Sequence, residues 1–481
     1  MGKVATTEPA ALTANHRHAP DWIILTIACL AQFMVVLDVS IVNVALPSMQ
    51  RDLHFSITSS QWVINAYVLT FAGFLLLGGR AADIFGRRRV YLAGLFVFVL
   101  ASIGAGFAAN GTEIVAVRAL QGVGGAILSP ATLTIIVTTF QGARLPRAIG
   151  AWSAVAGAGG AVGGLLGGIL TGWASWRWVF FINVPIGLGA AVVATMYLRE
   201  LRNRDAAVKL DVTGAVLVTS SLAALIYGVV NTTTVGWTSG TSLSWFVGGS
   251  VGLAAFVLWE SKVASHPLVP FRIFRSRSLR VANIVMLLVG GAFFAMWYFL
   301  TFYYQYVLGY DAVKTGFAFL PMALSIVAGA QISSRLVART GARPLLFTGS
   351  ALATIGFLWI SRISPTSSYL GAILAPSVIC AFAMGLLFTP LATAATAKVE
   401  RADAGLASGL LNTSRQVGGS LSLAILGTVA VDRAARFVHP HSARALVSGY
   451  QRAFVISAAI ALLALGVSTL LPRHTGHHST H

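Results

Sequence analysis

"FMVVLDVSIVNVALP", residues 33–47, places a single carboxylate, Asp38, in an otherwise apolar run. An aspartate at the centre of a membrane helix costs roughly 2.5–3.5 kcal/mol on insertion scales, so such residues are paired or functional. The surrounding chain settles the solvent. Of 481 residues, 56% are apolar and 10% charged, and the mean hydropathy is +0.80. Soluble domains carry about 25% charged residues. The chain reads as an all-α polytopic membrane protein.

Runs of about 20 apolar residues span a bilayer, and fourteen are expected. They start near Trp22, Gln61, Arg88, Glu113, Arg147, Trp178, Val212, Leu243, Leu279, Thr315, Ala342, Ser367, Ala404 and Gln451. The first is read as an uncleaved span, with Pro47 at its end. Of the 33 Lys and Arg residues, 23 fall on the side of the termini and 8 on the other, with Arg118 and Arg415 inside spans. That bias predicts both termini in the cytoplasm. The segment 431–450, expected as an outer loop, runs against it with three arginines. The net charge of +19 is spread over span ends and forms no nucleic-acid-binding patch. Cys29 and Cys380 lie in apolar runs, and the histidines show no ligand spacing, so neither a disulfide framework nor a metal site is expected. The histidine-rich tail, His474 to His481, reads as polar.

An internal repeat organises the spans. "GAILSPATL" (125–133) resembles "GLLFTPLAT" (385–393), and "GAWSAVAGAGG" (150–160) aligns with "GLLNTSRQVGG" (409–419). The offsets, 260 and 259, agree and make spans 4 and 5 counterparts of 12 and 13. The expected division is a six-helix bundle (1–198), an inserted two-helix segment (199–278) and a second bundle (279–481). Such repeats mark secondary transporters, with the site between the halves near the midplane.

"GGRAADIFGRRR", 78–89, joins spans 2 and 3. Gly79 and Gly86 make a tight turn that sets Asp83 among Arg80, Arg87, Arg88 and Arg89. Charge-assisted bonds there can break and re-form as two halves rock. This run resembles the signature loop of the major facilitator superfamily, with Ile84 in place of the usual basic residue. "SRLVARTGARP", 334–344, is its counterpart without an aspartate. "LDVSIVNVALP" (37–47) is similar to the first-helix signature of the fourteen-span drug:proton antiporters, and "RALQGVGGAILSP" (118–130) to their fourth-helix motif. "GAGGAVGGLLGG" (157–168) and "WRWVFFINVPIG" (176–187) resemble the antiporter motif and the exit into span 6. "GLASGLLNTSRQVGG" (405–419) matches the thirteenth helix.

The resemblance implies a major facilitator fold, two six-helix bundles plus an inserted pair. It also implies proton-driven export of hydrophobic, often cationic compounds, antibiotics included, across the cytoplasmic membrane. The implied partners are a small-molecule substrate, protons and the bilayer. No cofactor beyond the proton gradient is implied, and a monomer is expected. Glycine- and arginine-rich usage hints at a high-GC bacterium and antibiotic self-resistance. A proton symporter for nutrient uptake and a non-transporting receptor or scaffold stay open as alternatives. No nucleophile–base set or phosphate-binding Gly-Lys-Ser/Thr loop points to an enzyme.

The residues themselves suggest roles. Arg118 and Gln121, three apart, share a face of span 4. A buried arginine needs a partner or a wet cavity, and Asp38 is the one deep acid, so the two are expected to meet and couple to protons. The alternative is a static ion pair. Gly159/Gly160, Gly163/Gly164 and Gly167/Gly168 form a smooth stripe expected to face span 10 in the opposite half; the family's proline is Gly164 here. Asn43, Gln121, Trp297, Tyr298, Asn412 and Arg415 are candidate cavity residues, Trp297 and Tyr298 being equally compatible with an interfacial belt. Tyr303 to Gln305 are expected in that belt.

Overall fold

The computed structural model describes residues 20–141, 144–198, 200, 210–397, 399, 404–440 and 442–472. Fourteen long helices follow one another: α1 (Asp21–Asp52), α2 (Ile57–Phe85), α3 (Arg87–Phe107), α4 (Gly111–Thr139) and α5 (Arg144–Trp173). Next, α6 starts as one turn, Trp178–Phe181, and continues as Asn183–Tyr197. Then come α7 (Val212–Val235), α8 (Gly240–Leu258), α9 (Arg277–Phe302), α10 (Ala312–Thr340), α11 (Ala342–Ile360), α12 (Leu374–Thr396), α13 (Ala404–Ala434) and α14 (Ala443–Ser468). Thirteen of these are long and apolar enough to cross a membrane. The other, α5, is 30 residues long with a described apolar run at Val162–Trp173.

Side-chain caps set several starts. Asn110 accepts from the Glu113 amide at 2.9 Å while the Glu113 carboxylate receives the Ala109 amide at 2.8 Å, a reciprocal capping box. Ser56, Asp311 and Ser442 cap α2, α10 and α14 in the same sense. The Ser442 cap moves the last helix start to Ala443, ahead of the expected Gln451. Arg433 and Arg444 therefore lie in helix ends, and the expected 431–450 loop shrinks. Pro47 does not end α1, which continues to Asp52. One missing backbone bond is tolerable where neighbouring helices support the chain.

Packing partners recur with a shift of eight helices. In the first six, α1 packs on α5, α2 on α4 and α3 on α4; later, α9 packs on α13, α10 on α12 and α11 on α12. Two seams join these groups, α5 with α10 and α2 with α13. The remaining pair straddles the second seam: α7 packs on α8, α2 and α13, with Ile226, Val229 and Val230 clustered against Leu69 and Ala424. At its base the Trp259 indole donates to Asp211 at 2.9 Å, and Glu260 receives the Val269 amide at 2.9 Å. The following linker accepts from Arg80 at Pro267 O, 2.7 Å, linking the inserted pair to the α2–α3 turn.

Candidate functional site: a buried carboxylate cluster and the seams around it

Asp38 lies midway along α1, about 25 Å from its start at 1.5 Å per residue. Arg118 Nη1 donates to Asp38 Oδ2 at 2.5 Å and to Gln121 Oε1 at 2.6 Å, so the expected meeting of Asp38 with Arg118 occurs, while Gln121, expected to line a cavity, is enclosed in the same cluster. Gln121 Nε2 donates to Asp38 Oδ1 at 2.8 Å, and Asn183 Nδ2 to the same oxygen at 3.2 Å. Ser102 accepts from Gln121 at 2.7 Å and from Asn183 at 3.3 Å. Arg118 Nε donates to the Val63 carbonyl, 3.1 Å, and its guanidinium lies 4.2 Å from the Tyr67 ring centroid. Asp38, Gln121, Ser102 and Asn183 are 0% exposed and Arg118 1%.

Helices α1, α2, α3, α4 and α6 all contribute, so the cluster is internal to the first six helices. Every group bonded to Asp38 donates, a shell matched to the ionised carboxylate. Ser102, Asn183 and Tyr67 were not anticipated, although Asn183 is the only polar residue in "VFFINVPIG" (179–187). Asn43 stands apart: its amide donates to its own helix at Val39 O, 2.9 Å, and it is buried.

The glycine stripe has two faces, which corrects its expected single partner. A Cβ on Gly159, Gly163 or Gly167 would meet α1 at Phe33 O (3.2 Å), Ser40 Cβ (2.6 Å) and Ile41 O (2.7 Å). Only the neighbouring face reaches α10. There a Cβ on Gly168 would stand 2.3 Å from Ala312 O, and one on Gly164 3.6 Å from Phe319. Gly160 has open space, its nearest neighbour being Val36 at 4.0 Å. With 100° between successive residues, adjacent glycines present different faces of α5.

Hydrogen bonds joining the two halves gather at the end where α1 finishes and α2 begins. Tyr298 and Ser60 hydroxyls lie 2.9 Å apart, Gln305 Nε2 donates to Val44 O at 2.8 Å, and the Tyr306 hydroxyl to Gln50 at 2.8 Å. Tyr298, Tyr303 and Tyr304 are buried and Gln305 nearly so. These residues close the far end and are not the interfacial belt expected for Tyr303 to Gln305. Trp297 stays half-buried, its ring 4.8 Å from Phe319.

At the opposite end, Gly86 (φ 97°) ends α2 and starts α3. Glu200, unanticipated, receives the Arg89 amide at 3.2 Å and lies 3.7 Å from its guanidinium. Arg88 donates to Thr195 O at 2.8 Å. Gly79, expected in the turn, lies within α2 and has ordinary contact at 3.6 Å; the close approach is made by Gly78, where a Cβ would stand 2.2 Å from Ala126 O. The Asp83 side chain lies outside the described residues, among which none pairs with Arg87.

In the second half, Arg415 Nη2 and Nε both donate to Asn412 Oδ1, at 2.8 and 3.2 Å. Ser414 donates to Asn283 at 2.8 Å. Among the described residues no group of three His, Cys, Asp or Glu could hold a metal.

Comparison with known proteins matches this architecture. The family model described as Major Facilitator Superfamily covers residues 28–423. The chain is 44% identical to the cephamycin export protein CmcT of Amycolatopsis lactamdurans, over 93% of this chain and 91% of that protein. It is 38% identical to the puromycin resistance protein of Streptomyces alboniger, over 94% and 90%. Its fold resembles a crystal structure of a bacterial homolog of the human lysosomal transporter Spinster, with a TM-score of 0.63, 15% identity and coverage of 94% and 98%. Two matching sets of six helices with an inserted pair, under a family model that covers most of the chain, have one reading: the chain belongs to the major facilitator superfamily.

Proposed function

We propose that this protein exports hydrophobic compounds, antibiotics among them, across the cytoplasmic membrane in exchange for protons. Both termini face the cytoplasm in this reading, as the Lys/Arg bias requires, and the bonded far end faces outward. The arrangement then has its outer gate closed. Export or resistance is what the names of the two relatives state, and their similarity along nearly the whole chain supports the same task here.

The observation that carries proton coupling is the shell of Asp38. Its carboxylate is fully buried and its described partners only donate. A proton on Asp38 would remove the charge that holds Arg118 and force donors apart. Loosening this cluster therefore goes with protonation, and re-forming it goes with proton release. Because the cluster ties α1, α4 and α6 together, its two states favour two packings of the first bundle. An entering proton supplies about 2.3 kcal/mol per 100 mV of potential, enough to drive a change of gate.

The test is drug susceptibility in an efflux-deficient host expressing the protein, with and without a protonophore, followed by flux in everted vesicles. Expected is lowered accumulation of at least one hydrophobic drug, abolished by the protonophore and by Asp38→Asn. Net uptake, or protonophore-insensitive protection, overturns this reading.

A further inference from the structure

The two membrane-buried arginines are treated differently. Arg118 has a carboxylate at 2.5 Å; Arg415 has only the neutral amide oxygen of Asn412. Arg415 sits eleven residues into α13, roughly 16 Å along the axis. A guanidinium keeps its charge in proteins and offers five donors, of which Asn412 engages two. Among the described residues none forms an ion pair with Arg415, and the residue is only partly buried.

Among the described residues of the second half no acid reaches this depth. Its acidic residues are Asp311, Glu400, Asp403 and Asp432, of which the described two, Asp311 and Asp432, stand at helix ends. Arg415 packs against α9, since a Cβ on Gly290 would meet its Cγ at 3.2 Å. Both α9 and α13 also touch the first half, on α1 and α2, so Arg415 sits on the helix pair that borders the other half, with part of its side chain accessible. The deep acid of the first half, Asp38, is wholly enclosed and already bound to Arg118. What this helix pair offers is thus a positive charge with spare donors.

We propose that Arg415 is a specificity-determining residue that receives an anionic group of the transported compound, a carboxylate above all, with Asn412 holding the guanidinium in place. This rests on the exporter reading and narrows its substrate class from hydrophobic cations to amphipathic acids. A planar guanidinium matches a carboxylate through two parallel bonds. A cation placed there meets repulsion and finds no counter-ion.

The experiment measures binding to the full chain purified in detergent, by quenching of tryptophan fluorescence. The probes are benzylpenicillin and fusidate, each compared with its methyl ester. At least one free acid is expected to bind about tenfold more tightly than its ester, the worth of a charged hydrogen bond. Arg415→Gln should erase the difference and Arg415→Lys retain part of it, with elution profile and Tm of both variants confirming that they fold. Equal affinity of acid and ester, binding of neither acid, or an unchanged preference in Arg415→Gln overturns the proposal. Energised everted vesicles separate it from the reading beneath it. Acid-selective binding without protonophore-sensitive accumulation of the bound acid leaves the anion site standing and removes the export function.

Discussion

Asp38 and Arg118, 80 residues apart, meet at 2.5 Å in a pocket that exposes neither side chain. An ion pair without solvent is held by the pairing of each charge, since desolvation offsets much of the attraction. Removing one member therefore costs far more than removing both. Arg118→Gln or Asp38→Asn alone is expected to destabilise the detergent-purified protein by about 3–5 kcal/mol. The double variant Asp38→Asn/Arg118→Gln should recover most of that in thermal unfolding. Strict additivity of the two changes would show that the charges are not coupled in this way.

The two faces of the α5 glycine stripe differ in what they tolerate. Gly168→Ala places a methyl group 2.3 Å from the Ala312 carbonyl, a backbone atom that cannot turn aside. Gly160→Ala enters open space. Overpacking of this kind costs about 1–3 kcal/mol, so drug efflux should fall about tenfold or more for Gly168→Ala. Gly160→Ala should stay near wild type. Equal activities would contradict the close α5–α10 seam.

A similar contrast separates the adjacent glycines Gly78 and Gly79 within α2. The Gly78 position lies 2.2 Å from the Ala126 carbonyl, and Gly79 makes ordinary contact at 3.6 Å. Gly78→Ala is expected to lower thermal stability by about 1–3 kcal/mol, with Gly79→Ala nearly neutral. A reversed order in the melting curves would rule out this packing of α2 on α4.

The far-end bonds make a prediction about gate populations. Gln305→Ala removes the donor to Val44 O, and Tyr306→Phe removes the donor to Gln50. Each loss is worth about 1 kcal/mol, roughly a fivefold shift in the open fraction. In a background lacking Cys29 and Cys380, Val44→Cys should be alkylated correspondingly faster by an impermeant maleimide added to whole cells. An unchanged rate would mean that these bonds do not hold the gate.

Much of this molecule is visible along the chain because hydropathy, charge and proline are local properties. The expected starts near Trp178, Val212, Ala342 and Ala404 coincide with helix starts, since each follows a break in apolar sequence. The pairing of Asp38 with Arg118 was legible for another reason: two costly buried charges in one half have few other partners. Asn183 and Ser102 gave weaker signals, because a lone amide or hydroxyl in a helix costs little. Tyr303 to Gln305 misled, since amphipathic side chains near a span end suit a lipid interface as well as a buried packing position. What decides is which helix stands opposite.

The sequence by itself determined an all-helical membrane chain, the number of its long helices, the repeat of its halves and the depth of its three buried charges. Only the tertiary structure decided that Asp38 is sealed within the first half by donors from two other helices, α4 and α6. It also decided that alternate glycines of α5 serve different partners, and that Arg415 is held by the amide oxygen of Asn412 with no carboxylate beside it among the described residues. The reason is geometric. Span length and polarity follow from neighbours in the chain, whereas the facing of each side chain depends on how every helix is rotated against contacts 80 to 260 residues away.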